Sequence, residues 1–262
     1  MIKPGIYYDM TNEEYHSEPD YLSNSLATRI HRAPALALVK QDATKAMNDG
    51  RRIHTYILEP EKVIERYFVL PEDHKGTTKA GKEMIAKVSE TGLEPITFQE
   101  DLQYRSMAAS VRRHKFGAAL LKNAIVESSI FWTDFVTQCH CKCRPDLLLP
   151  EMGVIADLKT TTDASEIGFA KSAGNFGWHR QAAHYIAGAK SVFPIVGRFL
   201  FIAVEKTEPY LCAVYELGVD SIARGQKSIE NDYRRFYDAK KSGEWPGYPE
   251  MIFTIEVPSW AE

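Results

Sequence analysis

The stretch that decides the fold is residues 144–159, which read RPDLLLPEMGVIADLK. Two short apolar runs, at 147–149 and 154–156, lie on either side of a segment, 150–153, that contains proline and glycine. Apolar runs of this length separated by turn-forming residues are typical of buried β-strands. The stretch therefore predicts a strand, a tight turn and a second strand, paired as an apolar hairpin.

Charged side chains lie at the ends of this predicted hairpin. Asp146 precedes the first run, Asp157 ends the second, and Lys159 follows two residues later. Because residues two apart leave the same face of a strand, Asp157 and Lys159 are expected to project together. Desolvating an isolated charge is so unfavourable that charges at buried strand ends are usually paired or bound to a metal. The hairpin thus predicts a divalent-metal site.

The residue types fit that chemistry. Mg²⁺ prefers hard oxygen ligands and is usually held by one or two carboxylates together with substrate phosphate oxygens, a role that suits Asp146 and Asp157. A lysine beside the metal can hold or deprotonate an attacking water and offset the charge that develops at phosphorus, and Lys159 suits that role. The pattern P-D, about ten residues, then D-x-K is shared by the PD-(D/E)xK nucleases, although alone it also occurs by chance.

Composition sets the broader class. The chain has 262 residues, 44% of them hydrophobic and 26% charged, which is typical of a globular protein with one large or two small domains. No apolar run approaches the roughly 18 residues of a membrane span, and the first residues begin no signal peptide, so we expect a cytoplasmic protein with no membrane partner. The net charge of −3 argues against a large surface that coats DNA nonspecifically, but a nuclease can still be locally basic.

The four cysteines are predicted to be structural. Cys139, Cys141 and Cys143 alternate along a predicted strand, and Cys212 lies far away in the sequence. A zinc or iron–sulfur site usually contains a C-x₂-C pair, which this spacing lacks. We therefore expect the thiols to pack as small apolar side chains, with a metal cluster as the alternative.

The remaining elements follow from periodicity and from capping residues. Residues 1–22 are expected to form an irregular lead-in, and the tail 243–260 is interrupted by prolines. Helices are predicted from Ser23 or Ser25 to Arg32 and at 44–58, 77–90, 101–114, 163–173 (capped from within 160–163), 178–191 and 219–242. Strands are predicted at 66–70, 94–98, twice within 124–143, and at 195–206 and 210–217.

Two further titratable residues have two interpretations each. His54 lies with Gly50 and Ile57 on one face of the helix at 44–58, so it is expected on the buried side. Taken alone, it is better explained as a core histidine with a satisfied hydrogen bond than as a metal ligand. Glu127 is either a further active-site acid or, by the favoured interpretation, a charge on an edge strand.

Four motifs in order carry a resemblance to a known family. They are G-x-x-x-H-x-x-I-L-E-P at 50–60, R-P-D at 144–146, D-L-K at 157–159 and Q-x-x-x-Y at 181–185. Together they resemble the RecB-type branch of the PD-(D/E)xK nucleases, and within it most closely the C-terminal nuclease domain of RecE, exonuclease VIII, with its phage relatives.

The resemblance covers nearly the whole chain and implies its architecture. It implies a single α/β domain over 1–262, with a helical N-terminal part at 1–60 that carries the histidine motif and a catalytic core at 124–217. The core would be restriction-endonuclease-like, with a mixed central β-sheet flanked by helices.

The resemblance also implies residue roles. His54, Asp146, Asp157 and the backbone carbonyl of Leu158 would bind metal, and Lys159 would be catalytic together with these side chains. Site support or DNA contact would come from Arg144, Thr160, Gln181 and Tyr185, with Glu127 as an additional acid.

For activity, the resemblance implies Mg²⁺-dependent hydrolysis of linear double-stranded DNA from an end, 5′ to 3′, with Mn²⁺ able to substitute. The product would be a 3′ single-stranded tail for an annealing protein of RecT type, and the nuclease would be a ring-shaped homo-oligomer. Three alternatives remain open: a CRISPR-adaptation-type nuclease with an iron–sulfur cluster, an endonuclease or single-strand exonuclease of the same superfamily, and a non-catalytic protein that binds DNA ends.

Overall fold

A computed structural model describes residues 2–257 of the chain, and the elements below lie within that range. The strands are β1 Gly5–Tyr7, β2 Tyr67–Val69, β3 Glu94–Ile96, β4 Ile125–Val126, β5 Ser129–Thr133, β6 His140–Cys143, β7 Leu147–Leu149, β8 Val154–Thr161, β9 Arg198–Glu205 and β10 Cys212–Glu216. The α-helices are α1 Asn12–His16, α2 Asn24–Arg32, α3 Lys45–Leu58, α4 Val63–Arg66, α5 Lys79–Glu90, α6 Phe98–Arg113, α7 Lys115–Lys122, α8 Glu166–Asn175, α9 Trp178–Lys190 and α10 Val219–Ser242.

The predicted hairpin forms the middle of a five-stranded mixed sheet with the order β10-β9-β8-β7-β4. β7 is antiparallel to both β8 and β4, whereas β8 and β9 run parallel. A short 3₁₀ turn, Pro150–Met152, and Gly153 in the left-handed conformation connect the two strands of the hairpin. Glycine adopts this conformation without steric strain, and it allows the chain to reverse within four residues.

Each face of the central sheet is covered by helices. Along β8, Ile155 belongs to a core shared with α2, α9 and α10, whereas Ala156 and Leu158 belong to a core shared with α3, α6 and α7. This alternation is the period-two pattern of a strand that is buried on both sides. The expected α/β fold, a mixed sheet flanked by helices, is therefore confirmed. By the same alternation, Asp157 and Lys159 leave β8 on the face covered by α9.

The prediction of an irregular lead-in over residues 1–22 is wrong in part. This segment contains β1, which pairs with β5, and α1, whose first turn is closed by a capping box between Thr11 and Glu14. Tyr15 and Tyr21 are buried edge-on against Phe131 of β5. Because these contacts join residues more than a hundred positions apart, local sequence patterns do not indicate them.

Most of the predicted helices are present near their predicted bounds. Ser23 caps α2 and Thr44 caps α3, and α10 has the predicted limits. The helix predicted at 163–173 begins later, because β8 continues to Thr161 in its pairing with β9 and Ser165 provides the cap. Helix α7 was not predicted. Of the proline-interrupted tail, residues 243–257 contain no helix or strand, and 258–260 lie outside the described residues.

The cysteines pack as expected. Cys139, Cys141 and Cys143 are buried, reduced and part of the core on the α9 side of the sheet. Cys212 packs against the core on the opposite side, so the four thiols do not converge on one point. Within residues 2–257, no helix combines the length and the apolar composition needed to cross a bilayer.

Candidate metal site

Three carboxylates lie in one row across the central sheet. The register pairs Leu147 of β7 with Ala156 of β8, so the next step along the two strands puts Asp146 opposite Asp157. β4 pairs with β7 in the same way, and the backbone N–H of Glu127 donates a hydrogen bond of 3.2 Å to the carbonyl of Asp146. The acids thus lie where β4 and β7 end and β8 continues.

Backbone geometry holds Asp146 at this strand end. Its Oδ2 accepts a hydrogen bond of 2.7 Å from the backbone N–H of Leu158. Asp146 directly precedes β7, so its side chain, and not a strand backbone, pairs with this part of β8. Its Oδ1 is left free to face the half-buried imidazole of His54, whose Nδ1 lies 3.6 Å away.

Lys159 and Gln181 form a small polar cluster with Asp157. The ammonium of Lys159 makes an ion pair with Asp157 Oδ2 and donates a hydrogen bond of 2.9 Å to Gln181 Oε1. Gln181 in turn donates through Nε2 to Asp157 Oδ1 at 2.8 Å. Because Gln181 lies on α9, the helix fixes the relative positions of the acid and the lysine on β8. The predicted convergence of these residues is therefore present in the structure.

His54, Glu127 and Asp146 form a group suited to a metal ion. One potential ligand atom from each of the three lies within 4.8 Å of the other two. Glu127 follows directly after the edge strand β4, in agreement with the edge-strand interpretation, but its side chain also belongs to the acid cluster. Its backbone is left-handed, with φ of 53°. That conformation is uncommon for a residue with a side chain and is frequent at functional sites.

The electrostatics of the cluster show that the acids are crowded. Burial and the carboxylate of Asp146 raise the pKa of Glu127 to about 8. Burial raises the pKa of Asp157 to about 6, against the opposing effect of Lys159, with a further contribution from Asp146. Groups with such raised pKa values resist ionisation together, and a bound cation relieves that repulsion.

These residues fit a hard divalent cation. The Oδ2 atom of Asp157 is fully buried, and the ammonium of Lys159 is its charged neighbour. Three carboxylates and one imidazole supply the oxygen-rich donor set that Mg²⁺ or Mn²⁺ takes in proteins. The fold thus brings the potential metal ligands and the lysine to the same strand end.

The structure places the other predicted site residues as follows. Tyr185 lies one turn after Gln181 on α9, and both its burial and the charge of Asp157 raise its pKa well above the usual value. The side chain of Leu158 is in the core, and a role for its carbonyl stays a prediction. Thr160 leaves β8 on the face opposite to Asp157, and the structure does not bring it together with the cluster.

Arg144 has a clear role within the chain. Its guanidinium donates to Ser129 Oγ and to the carbonyls of Met10 and Thr11, and it stacks 4.6 Å from the ring centroid of Tyr15. Arg144 therefore ties the N-terminal segment to the strands that lead to the site. A contact between Arg144 and DNA stays a prediction.

Fold and site together define a restriction-endonuclease-like domain with the acids at a forked strand end. In agreement with this, residues 27–256 match the model of a family described as a PDDEXK-like domain of unknown function (DUF3799). The match spans most of the chain, so the protein belongs to this family. Membership of the PD-(D/E)xK superfamily, expected from the resemblance to RecE-type nucleases, is confirmed.

A solved structure supports the fold. A candidate exonuclease from Eubacterium rectale is similar with a TM-score of 0.65 at 14% identity, over 95% of this chain and 96% of that one. A phage-related exonuclease from Haemophilus somnus 129PT gives a TM-score of 0.33 at 10% identity, over 83% of this chain and 94% of that one. Only the first likeness is close enough to support the fold. No curated protein matches the sequence significantly.

Proposed function

We propose that the protein is a divalent-metal-dependent exodeoxyribonuclease that degrades linear double-stranded DNA from its ends. The observation that carries the proposal is the row of Glu127, Asp146 and Asp157 beside Lys159 at the end of β7. This arrangement supplies anionic ligands and one cation at a single point, as hydrolysis of a phosphodiester requires. The family match supports nuclease chemistry in general.

Each side chain has a distinct role in this proposal. Asp146, Asp157, Glu127 and His54 would hold the metal ion, which would polarise the scissile phosphate and lower the pKa of a water molecule. Lys159 would position the attacking water and offset the negative charge that develops on the phosphate oxygens. Gln181 would keep Lys159 and Asp157 in register through its two hydrogen bonds. Net reaction adds water across the P–O bond and releases a nucleotide.

The finer features of the proposal rest on the resemblance to RecE-type nucleases. They are digestion from 5′ to 3′, Mg²⁺ as the natural ion with Mn²⁺ as a substitute, and a 3′ single-stranded product for an annealing protein of RecT type. A ring-shaped homo-oligomer in the cytoplasm would fit the net charge of −3, because enclosure of DNA requires basic residues only along a channel. The description of the similar Eubacterium rectale protein as an exonuclease supports end-dependent action.

A time course on linear duplex DNA tests the proposal. Two substrates carry a label at either the 5′ or the 3′ end, and a covalently closed circle of the same sequence is the control. With Mg²⁺, the 5′ label should be released first as a mononucleotide while the circle stays intact. Asp157→Asn, purified in parallel, controls for contaminating nucleases.

Other outcomes would identify the alternatives. Cutting of the closed circle would show an endonuclease, and release of the 3′ label first would show the opposite polarity. Tight binding of ends without hydrolysis in Mg²⁺ or Mn²⁺ would show a non-catalytic protein. Visible absorbance of the purified protein from an iron–sulfur cluster would favour the CRISPR-adaptation type.

A further inference from the structure

An exposed aromatic side chain, Phe176, is connected to the polar cluster at the metal site through one intervening ring, Trp178. The ammonium of Lys159 is 5.3 Å from the ring centroid of Trp178. The ring of Phe176 stacks on that of Trp178, with 5.5 Å between the two centroids and an angle of 22° between the planes. Phe176 is 67% exposed, whereas Trp178 is half-buried. A chain of contacts therefore leads from Asp157 through Lys159 to an open aromatic face.

The backbone fixes Phe176 in this position. Phe176 caps the C-terminus of α8, where its N–H donates a hydrogen bond of 2.9 Å to the carbonyl of Ser172. Gly177 follows in the left-handed conformation, with φ of 67°, and its carbonyl accepts a hydrogen bond from Arg180 at the start of α9. Since only Phe176 and Gly177 separate α8 from α9, the turn has little freedom. Phe176 is thus held in place by regular structure.

Trp178, on which Phe176 stacks, is itself held by other aromatic side chains. Trp178 packs on Phe169 and Phe201, with centroids 5.1 Å and 5.7 Å away. Phe169 is buried against Tyr215 of the edge strand β10, with a centroid distance of 5.0 Å. Phe176 is accordingly the outermost ring of an aromatic stack that reaches into the core. A flat, rigid ring of this kind presents an apolar face to any molecule that occupies the site.

The chemistry of the site indicates what would cover this face. Phenylalanine has no hydrogen-bonding group, so it can recognise a ligand only through stacking or apolar contact. In the proposed reaction, the group next to Lys159 is a phosphodiester, and each phosphodiester carries a nucleobase on either side. Bases stack on protein aromatic rings irrespective of their sequence. A base next to the scissile phosphate is therefore the expected occupant.

We propose that Phe176, supported by Trp178, is a stacking platform for a nucleobase of the strand that is being cut. This inference rests on the proposed nuclease function and adds a basis for its selectivity. Inside a duplex, both faces of each base are covered by neighbouring bases. A terminal or unpaired base has a free face, so the platform favours DNA ends over continuous duplex.

DNA binding by variants of Phe176 tests the platform directly. Fluorescence anisotropy in Ca²⁺, which replaces Mg²⁺ to prevent cleavage, measures the Kd for a short duplex. Phe176→Ala should weaken binding by about 5- to 150-fold, which corresponds to the loss of about 1–3 kcal/mol of stacking free energy for one base. Phe176→Trp and Phe176→Tyr should retain binding, because either ring can stack.

The decisive measurement moves a single abasic nucleotide through the first positions of the end. At one position, the abasic nucleotide should weaken binding to the wild type by the same factor as Phe176→Ala, and it should have no further effect on that variant. Phe135→Ala is the matched control. Phe135 is 90% exposed but lies in the turn between β5 and β6, at the end of that hairpin remote from Asp146.

The outcomes separate this inference from the proposed function. If Phe176→Ala binds intact and abasic DNA as the wild type does at every position, or if the wild type binds no DNA, the platform does not exist. A change in self-association of Phe176→Ala without a change in DNA binding would identify a protein interface and also overturn it. If the wild type shows the abasic effect but hydrolyses no DNA in Mg²⁺ or Mn²⁺, the platform stands and the nuclease proposal falls.

Discussion

Asp146 and Asp157 lie directly opposite each other on neighbouring strands, one step beyond the last residue pair of β7 and β8. Their separation of eleven positions in the sequence is the length of a hairpin whose two strands end together. Asp146 accepts a hydrogen bond from the Leu158 N–H, and Asp157 accepts one from Gln181 and is ion-paired to Lys159. Both carboxylates are thus positioned by the fold, and the repulsion between their charges favours a cation beside them.

Neutral replacement of either aspartate should abolish cleavage without unfolding the protein. Asp146→Asn and Asp157→Asn keep the shape of the side chain but remove the charge that holds the metal, so we expect a loss of about 10³-fold or more in rate. Mn²⁺ should raise the melting temperature of the wild type but not that of the variants. Asp42→Asn, at an exposed position, is the control. Full activity of Asp146→Asn or Asp157→Asn would contradict the metal site.

In the metal-free protein, Asp157 should reduce the free energy of unfolding, and the reduction should depend on pH. Its folded-state pKa of about 6 exceeds the unfolded value of 3.8, so the folded state binds more protons in between and this contribution to stability falls as pH rises. Asp157→Asn should therefore be more stable than the wild type by about 1–3 kcal/mol at pH near 8, with the difference shrinking towards pH near 4. Urea unfolding in EDTA measures it.

The comparison with the variant is essential here because other groups titrate in the same range. Burial lowers the pKa of His184 to about 4, and this shift makes stability rise with pH. The difference between wild type and Asp157→Asn removes that shared contribution. A difference that grows towards acidic pH would contradict the prediction.

Lys159 should be needed for the chemical step and not for binding. Lys159→Ala removes the cation that offsets charge in the transition state, so single-turnover cleavage should slow by about 10²-fold or more. The Kd for DNA in Ca²⁺ should stay near the wild-type value, since one lysine contributes little to phosphate contacts. Lys87→Ala, at an exposed position on α5, is the matched control. Weakened binding with normal single-turnover chemistry would show that Lys159 has a different role.

Much of the site can be predicted from sequence because its signals are local. The strand–turn–strand pattern, with alternation on β8, is enough to bring Asp157 and Lys159 to one face. Helix α3 is delimited by a capping threonine and by the Glu59-Pro60 stop, so the position of His54 on a helix also follows from neighbouring residues. These features depend on contacts within a few positions of each other.

Glu127 shows where such reasoning ends. Its place among the acids depends on the register of β4, a strand of two residues, against β7. A charge after a short β-branched run has no local feature that separates a ligand from an ordinary edge-strand residue. The same limit applies to β1 and α1, which are ordered by packing on Phe131, and to Thr160, whose strand continues only because β9 lies beside it.

His54 provides the sharpest test of the site, because its two interpretations predict different effects of replacing it. A core histidine would cost folding stability, whereas a metal ligand would cost affinity for the ion. Its side chain is 28% exposed and faces Asp146, so it has little core packing to lose. His54→Ala should therefore unfold within about 1 kcal/mol of the wild type but need much more Mg²⁺ for the same rate, since one ligand is gone. The variant should also lose the ability of Mn²⁺ to support cleavage well, because imidazole binds Mn²⁺ more readily than Mg²⁺. Activity titrations with each ion measure both effects, with His74→Ala as the control. A Mg²⁺ titration of folded His54→Ala that overlays the wild type would exclude His54 as a ligand.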